Sequence, residues 1–278
     1  MLDWSSLLGL PSDPLKDTFM LYRRVTEQYE NPEILEKVRS LIPQDIVLKT
    51  ATKEDSNNII PLLKWFKNEF MKWTPKDPVC EMCINRSDSS GDISDSGISC
   101  RSVTIATPIM QIKKIMIGDS WKMRKVEVFV CSMCKCEYAF ARYGEILKIA
   151  ENKTGRCSEW SMLFGAILSS LGIKTRIVHD FLDHCWNEAM LTSSSSSSSS
   201  QDGQWIHVDS TLDHPISINH PYYYEENWRK EYQYVLAFTA DTIEDVTKTY
   251  TQKWETIQRL RLKNKNNVLD FPKLYSKI

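Results

Sequence analysis

The sequence predicts an α+β fold: a helical N-terminal region ahead of a mixed helix-and-strand core, with a cysteine-rich segment between them. Three observations predict it. Apolar residues at helical spacing fill the N-terminal part, an apolar helix opening at Cys157 leads into short alternating strands, and two C-x-x-C pairs lie between these regions.

Leu15 to Tyr29 and Pro32 to Leu41 read as helices, the second with Asn31 as N-cap and Pro32 in its first position. A third is expected from about Asn58 to Trp73. Cys80-Glu81-Met82-Cys83 and Cys131-Ser132-Met133-Cys134 follow, separated by a Ser/Asp/Gly-rich insertion, 85–101, with no pattern that could build a core. In a chain of eight cysteines without a secretory signal, such pairs point to a metal rather than disulfides. Four thiolates give zinc a closed tetrahedral shell, a structural site. One zinc per chain is expected on Cys80, Cys83, Cys131 and Cys134, with Cys136 as the substitute ligand and Cys100 as a free thiol.

Trp160, Leu163, Phe164, Ile167, Leu168 and Leu171 recur at helical spacing, and Gly172 closes that helix. Cys157 opens it, where the helix dipole and unpaired N–H groups favour a thiolate. Thr175–Val178 reads as a buried strand. His184, Trp186 and Glu188 alternate, as do Trp205, His207 and Asp209, with Ile206 and Val208 on the opposite face. Two neighbouring strands would aim His184 and Asp209 at the helix tip carrying Cys157. A thiol nucleophile, an imidazole that moves protons and a carboxylate that orients it make an acyl-transfer site. The competing reading is that a Cys, a His and an Asp merely share a compact domain.

Spacing separates two plans for such a site. Papain-like enzymes place the His about 130–150 residues after the Cys. Here His184 and then Asp209 follow closely. This compact order resembles the transglutaminase-like core, a relative of the papain-like hydrolases. Gly-Arg-Cys-x-Glu-Trp at 155–160, Asp-His-x-Trp-x-Glu at 183–188 and Trp-x-His-Val-Asp-Ser at 205–210 resemble, within that group, the cytoplasmic peptide:N-glycanases, in their fungal type. The aromatic helix at 62–73, both cysteine pairs, Arg142-Tyr143, Trp228 and the segment 234–247 extend the likeness from about Leu62 to about Tyr250.

The resemblance implies a deglycosylating amidase. Cys157, His184 and Asp209 would cleave the amide of N-linked glycans on misfolded glycoproteins through a thioester, leaving Asp for Asn. It implies substrate contacts at Glu188 and Trp228; Trp186, on the His184 face, reads as a wall of the site, and Trp160 as an aromatic able to stack on sugar or clamp a peptide. Association with a shuttle-type ubiquitin receptor and the proteasome is also implied, in the cytoplasm with the nucleus as a second compartment. Ser158, Cys185, Asn187 and Thr211-Leu212 depart from the family pattern. Cys185 and Asn187 read as packing residues facing away from the site. A transglutaminase, a cysteine protease or a catalytically silent glycoprotein-binding module are the alternatives.

The expected organisation is N-terminal helices packed on the core over 1–74, a zinc-binding subdomain over 75–140, and a catalytic core over 141–278. A flexible loop over 193–203 carries the Ser193–Ser200 run. A formal charge of −1 gives no reason to expect nucleic acid, and no stretch has membrane-spanning length. Arg259, Arg261, Lys263 and Lys265 read as a solvated basic face.

Overall fold

The structure is a computed structural model that describes residues 14–50, 56–88, 109–118, 121–191 and 203–263. The Ser193–Ser200 run, Cys100, Lys265 and most of the 85–101 insertion lie outside the described residues. Contacts divide the chain into two units, Met1–Lys72 with Gly144–Ile278, and Trp73–Tyr143.

The first unit opens with α1 (Pro14–Glu27), α2 (Pro32–Ser40), α3 (Gln44–Thr50) and α4 (Ile60–Trp65). Asn31 caps α2, its side chain accepting from the Glu33 and Ile34 amides at 3.0 and 3.2 Å, with Pro32 at the helix start. The third helix stops earlier than its periodicity predicts. After α4 the chain makes a π turn over Phe66–Phe70, and Met71 leaves it in an extended conformation. The wider turn lets Phe66 and Phe70 stack, with centroids 6.0 Å apart, while Phe66 meets the edge of Trp160 at 5.6 Å.

The second unit contains α5 (Glu81–Asp88) and a three-stranded antiparallel sheet of β1 (Met110–Ile117), β2 (Met123–Cys131) and β3 (Glu137–Tyr143), in that order. Cys80, Met110, Phe129, Cys131 and Phe140 form a small core, and Cys83, Cys134 and Cys136 pack against it.

The first unit resumes with α6 (Ile146–Asn152) and α7 (Cys157–Ser170). Helix α7 is buried from Ser158 to Leu168, as a helix apolar on most sides must be. Tyr29 donates to the Met162 carbonyl at 2.7 Å, and a Cβ added at Gly165 would stand 2.4 Å from the Tyr29 hydroxyl. That close approach explains a glycine inside a helix. Gly172, with φ of 72°, ends α7 in the left-handed conformation that other residues avoid.

Beyond α7 lie β4 (Thr175–His179), β5 (Cys185–Leu191), β6 (Gln204–Val208), β7 (Leu236–Phe238) and β8 (Ile243–Asp245). They form one antiparallel sheet in the order β8-β7-β4-β5-β6. The register sets Glu188 opposite His207 and Asn187 opposite Val208. Short helices α8 (Tyr223–Asn227) and α9 (Thr247–Tyr250) precede α10 (Trp254–Lys263). One expectation fails on α10. Arg261 is not part of a solvated face, because it binds Asp245 at 2.7 Å and lies 3.8 Å above the Tyr234 ring.

Candidate active site

Cys157 is the first residue of α7. The helix start is braced by Glu159, whose carboxylate accepts from the Arg156 amide at 3.1 Å. Cys157 Sγ lies 3.7 Å from the Asp183 carbonyl oxygen. The Cys185 thiol hydrogen-bonds to it, and the His184 imidazolium adds a second bond and its charge. Together these draw the Cys157 thiol down to about 4, against burial and the Glu159 charge. A thiolate held beside an imidazolium is a nucleophile already ionised.

His184 stands in the turn before β5, not within the strand. Asp180 builds that turn, its Oδ1 accepting from the amides of Leu182, Asp183 and His184 at 2.9, 3.1 and 3.0 Å. Lys230 ties Asp180 and Asp183 together from the other side. His184 Nε2 lies 2.7 Å from Asp209 Oδ2, leaving Nδ1 for Cys157. Burial works against a charged ring, yet Asp209 and the Cys157 thiolate outweigh it and lift His184 to about 10. Asp209 is fully buried, and the imidazolium holds it well below the carboxylate range despite that burial.

Asp209 takes more partners than His184. Thr211 donates to Oδ1 through its amide at 2.8 Å and its hydroxyl at 2.7 Å. The Tyr224 hydroxyl donates to Oδ2 at 2.7 Å. Thr211, a departure from the expected pattern, is therefore part of the cradle. The sequence offered no signal for Tyr224.

The structure redistributes the residues expected to meet substrate. Glu188 is 1% exposed and committed to Arg176 and to the Tyr250 hydroxyl at 2.7 Å, so it offers nothing to a ligand. Trp160 is also core, its indole N–H donating to the Gly155 carbonyl at 3.2 Å. Trp186 stacks on His184 at 5.7 Å but is 1% exposed, which makes it a support for the ring rather than an open wall. Trp228 meets the His184 ring edge-on at 5.0 Å and is 43% exposed, leaving a surface for a ligand beside the triad. Cys185 does not face away. It accepts from Ser161 of α7 at 3.4 Å and meets Cys157.

In the second unit, Cys80, Cys83, Cys131 and Cys134 bring their sulfurs within 4.8 Å of one another. Contacts of 3.6 Å for Cys80–Cys134 and 3.7 Å for Cys83–Cys131 fit a tetrahedron with zinc–sulfur bonds of about 2.3 Å, whose edges are about 3.8 Å. These four cysteines can hold a metal ion. The amides of Cys134 and Cys136 favour thiolate at Cys131 and Cys134 respectively. Cys136 lies 3.3 Å from Cys80, close enough to compete for the ion.

The α+β architecture, with the cysteine at a helix tip, the histidine in the turn entering β5 and the aspartate just past the end of β6, defines a transglutaminase-like fold. Residues 113–210 match the family described as the transglutaminase-like superfamily. The chain's sequence is similar to those of peptide:N-glycanases. It is 31% identical to the peptide-N(4)-(N-acetyl-beta-glucosaminyl)asparagine amidase of Caenorhabditis briggsae, over 88% of this chain and 36% of that protein. It is 30% identical to the amidase of that name from Candida glabrata, over 84% of this chain and 62% of that one. The chain thus spans about a third of the nematode relative and under two thirds of the yeast one. Among solved structures, a chain of Rad4–Rad23 bound to a 6-4 photoproduct UV lesion aligns over 97% of this chain and 56% of its own, at 12% identity and a TM-score of 0.48.

Proposed function

We propose that the chain is a peptide:N-glycanase that hydrolyses the amide joining an N-linked glycan to asparagine in denatured glycoproteins. The arrangement supporting this reading is the connected path from Cys157 through His184 to Asp209, with His184 Nε2 on the carboxylate. The Cys157 thiolate attacks the side-chain amide carbon, and the carbonyl π electrons move onto oxygen. The Cys157 amide at the start of α7 is the first donor available to that oxyanion. The tetrahedral intermediate collapses, the carbon–nitrogen bond breaks, and His184 gives its proton to the departing glycosylamine. His184, now neutral, takes a proton from water as it attacks the thioester. Cys157 leaves as thiolate and the peptide carries Asp. Asp209 keeps the ring oriented and charged, and Trp228 supplies the exposed wall.

Zinc on Cys80, Cys83, Cys131 and Cys134 would act structurally, since four thiolates leave no position for substrate. The proposed setting is the cytoplasm and nucleus, with misfolded glycoprotein as substrate and a ubiquitin receptor and the proteasome as partners. A transglutaminase would instead release ammonia and join the acyl group to a lysine amine. Incubation with a denatured glycoprotein, a denatured unglycosylated control and a lysine-rich acceptor separates these. Glycan release from the first alone is the expected result. Ammonia release with amine incorporation would replace the proposal.

A further inference from the structure

Tyr224 and His207 form a hydrogen-bond chain behind the triad that the reaction above does not use. His207 is 3% exposed and its Nε2 lies 2.7 Å from the Tyr224 hydroxyl. The His220 amide donates to its other nitrogen, Nδ1, at 3.4 Å. Burial pulls His207 down to about 4, so the ring is neutral. With Nδ1 accepting, the single ring proton sits on Nε2 and is donated to the tyrosine oxygen. The tyrosine's own proton can then go only to Asp209 Oδ2, where the 2.7 Å contact lies. Tyr224 is fully buried and unable to meet substrate from this position.

Asp209 Oδ2 thus serves two donors, Tyr224 and His184. A hydrogen bond to a carboxylate stabilises its charged form and weakens it as a base. The carboxylate's pull on the imidazolium is therefore shared with the phenol. We infer that Tyr224, oriented by His207, is a positioning residue that fixes Asp209 Oδ2 and moderates its hold on His184, so that the imidazolium can release its proton to a leaving group. The charged or titratable groups around this network are Cys157 and Glu159 from α7, His179 from β4, Cys185 from β5, Asp180, Asp183 and Lys230 from the turn and the loop facing it, and His220 beside His207. Tyr232 and Tyr250 lie near the phenol. None of them donates a hydrogen bond to Oδ2 among the described residues.

The test is Tyr224→Phe, which keeps the ring and removes the proton. Its primary readout is independent of any substrate. The chain has five histidines, so ring-labelled His184 can be followed by NMR through its alkaline titration. With one donor fewer, the carboxylate is the stronger base and the His184 titration moves upward. Turnover, which rests on the proposed reaction, should fall about tenfold with KM little changed, the value of one hydrogen bond to a charged group. His207→Leu should reproduce part of the NMR shift, and His207→Gln, whose amide can still donate to the phenol, should recover most of it. A titration that stays in place or moves downward in a folded Tyr224→Phe chain overturns the inference. Failure of the wild-type chain to release glycan would sink the proposed reaction and leave the titration result standing.

Discussion

Asp209→Asn should reverse the hydrogen-bond polarity at the base of the triad. Thr211 donates twice to Oδ1, which pins that position as an acceptor. The carboxamide nitrogen must then take the Oδ2 place, facing His184 Nε2 and the Tyr224 hydroxyl. His184 has to accept at Nε2 and carry its proton on Nδ1, as a neutral ring that cannot pair with a thiolate. Burial disfavours the His184 charge, yet Asp209 and Cys157 together lift it from 6.5 to about 10, which at about 1.36 kcal/mol per tenfold in proton affinity is roughly 5 kcal/mol. Because burial opposes the shift, that figure is the net gain, and the two partners together supply more than it. Turnover should fall about 10³- to 10⁴-fold, the size of a wrong-tautomer substitution in a triad. The companion assay is alkylation of Cys157 by iodoacetamide across pH. Its acidic limb near 4 in the parent should climb toward the ordinary thiol value of 9.0. A variant that keeps both the low limb and parental turnover would refute the reasoning.

Cys157→Ala and Cys157→Ser should both abolish glycan release while leaving a folded chain, since a serine hydroxyl is too poorly activated here; turnover by purified Cys157→Ala would remove the thiol from the mechanism. The pH profile of the parent should show a plateau between limbs near 4 and 10. The depressed thiol pKa stabilises the fold above the unfolded thiol's range, and that contribution is lost as pH falls through about 4. The raised imidazole pKa stabilises the fold at low pH, and that contribution is lost as pH climbs through about 10. Melting curves of the parent and Cys157→Ala across that span check both signs. Elemental analysis should find one zinc per chain, and Cys83→Ser should lower the melting temperature and the metal content together. Glu188→Gln should destabilise the fold by about 3–5 kcal/mol, because Arg176 keeps its charge in a buried site with only an exposed partner in Glu244; an unchanged melting temperature would show that pair to be dispensable.

The local rules of helix and strand made much of the fold legible. Asn31-Pro32 announced a capped helix, and the apolar period after Cys157 with Gly172 at its end gave α7. Alternation was less reliable as a guide to the site. It treats His184 as a strand residue sharing a face with Glu188, whereas His184 sits in a turn built by Asp180. Glu188 meets Arg176, brought beside it by β4–β5 pairing. Tyr224, Thr211 and Cys185 were invisible as site residues for a common reason. Each acts through polar contacts, and for Tyr224 and Cys185 the partners lie on other elements; no local pattern encodes such partners. The π turn at Phe66 was hidden because aromatic spacing continues past the point where the backbone widens.

The central claim is that Cys157, held as a thiolate by His184 and Asp209, cleaves the glycan-bearing amide of asparagine. Mass measurement of a denatured glycoprotein after incubation with the chain tests it most directly. The expected result is release of the intact glycan and conversion of the glycosylated Asn to Asp, lost in Cys157→Ala. Glycan release that leaves a sugar on asparagine, or no change in mass with a folded, zinc-loaded chain, would contradict it.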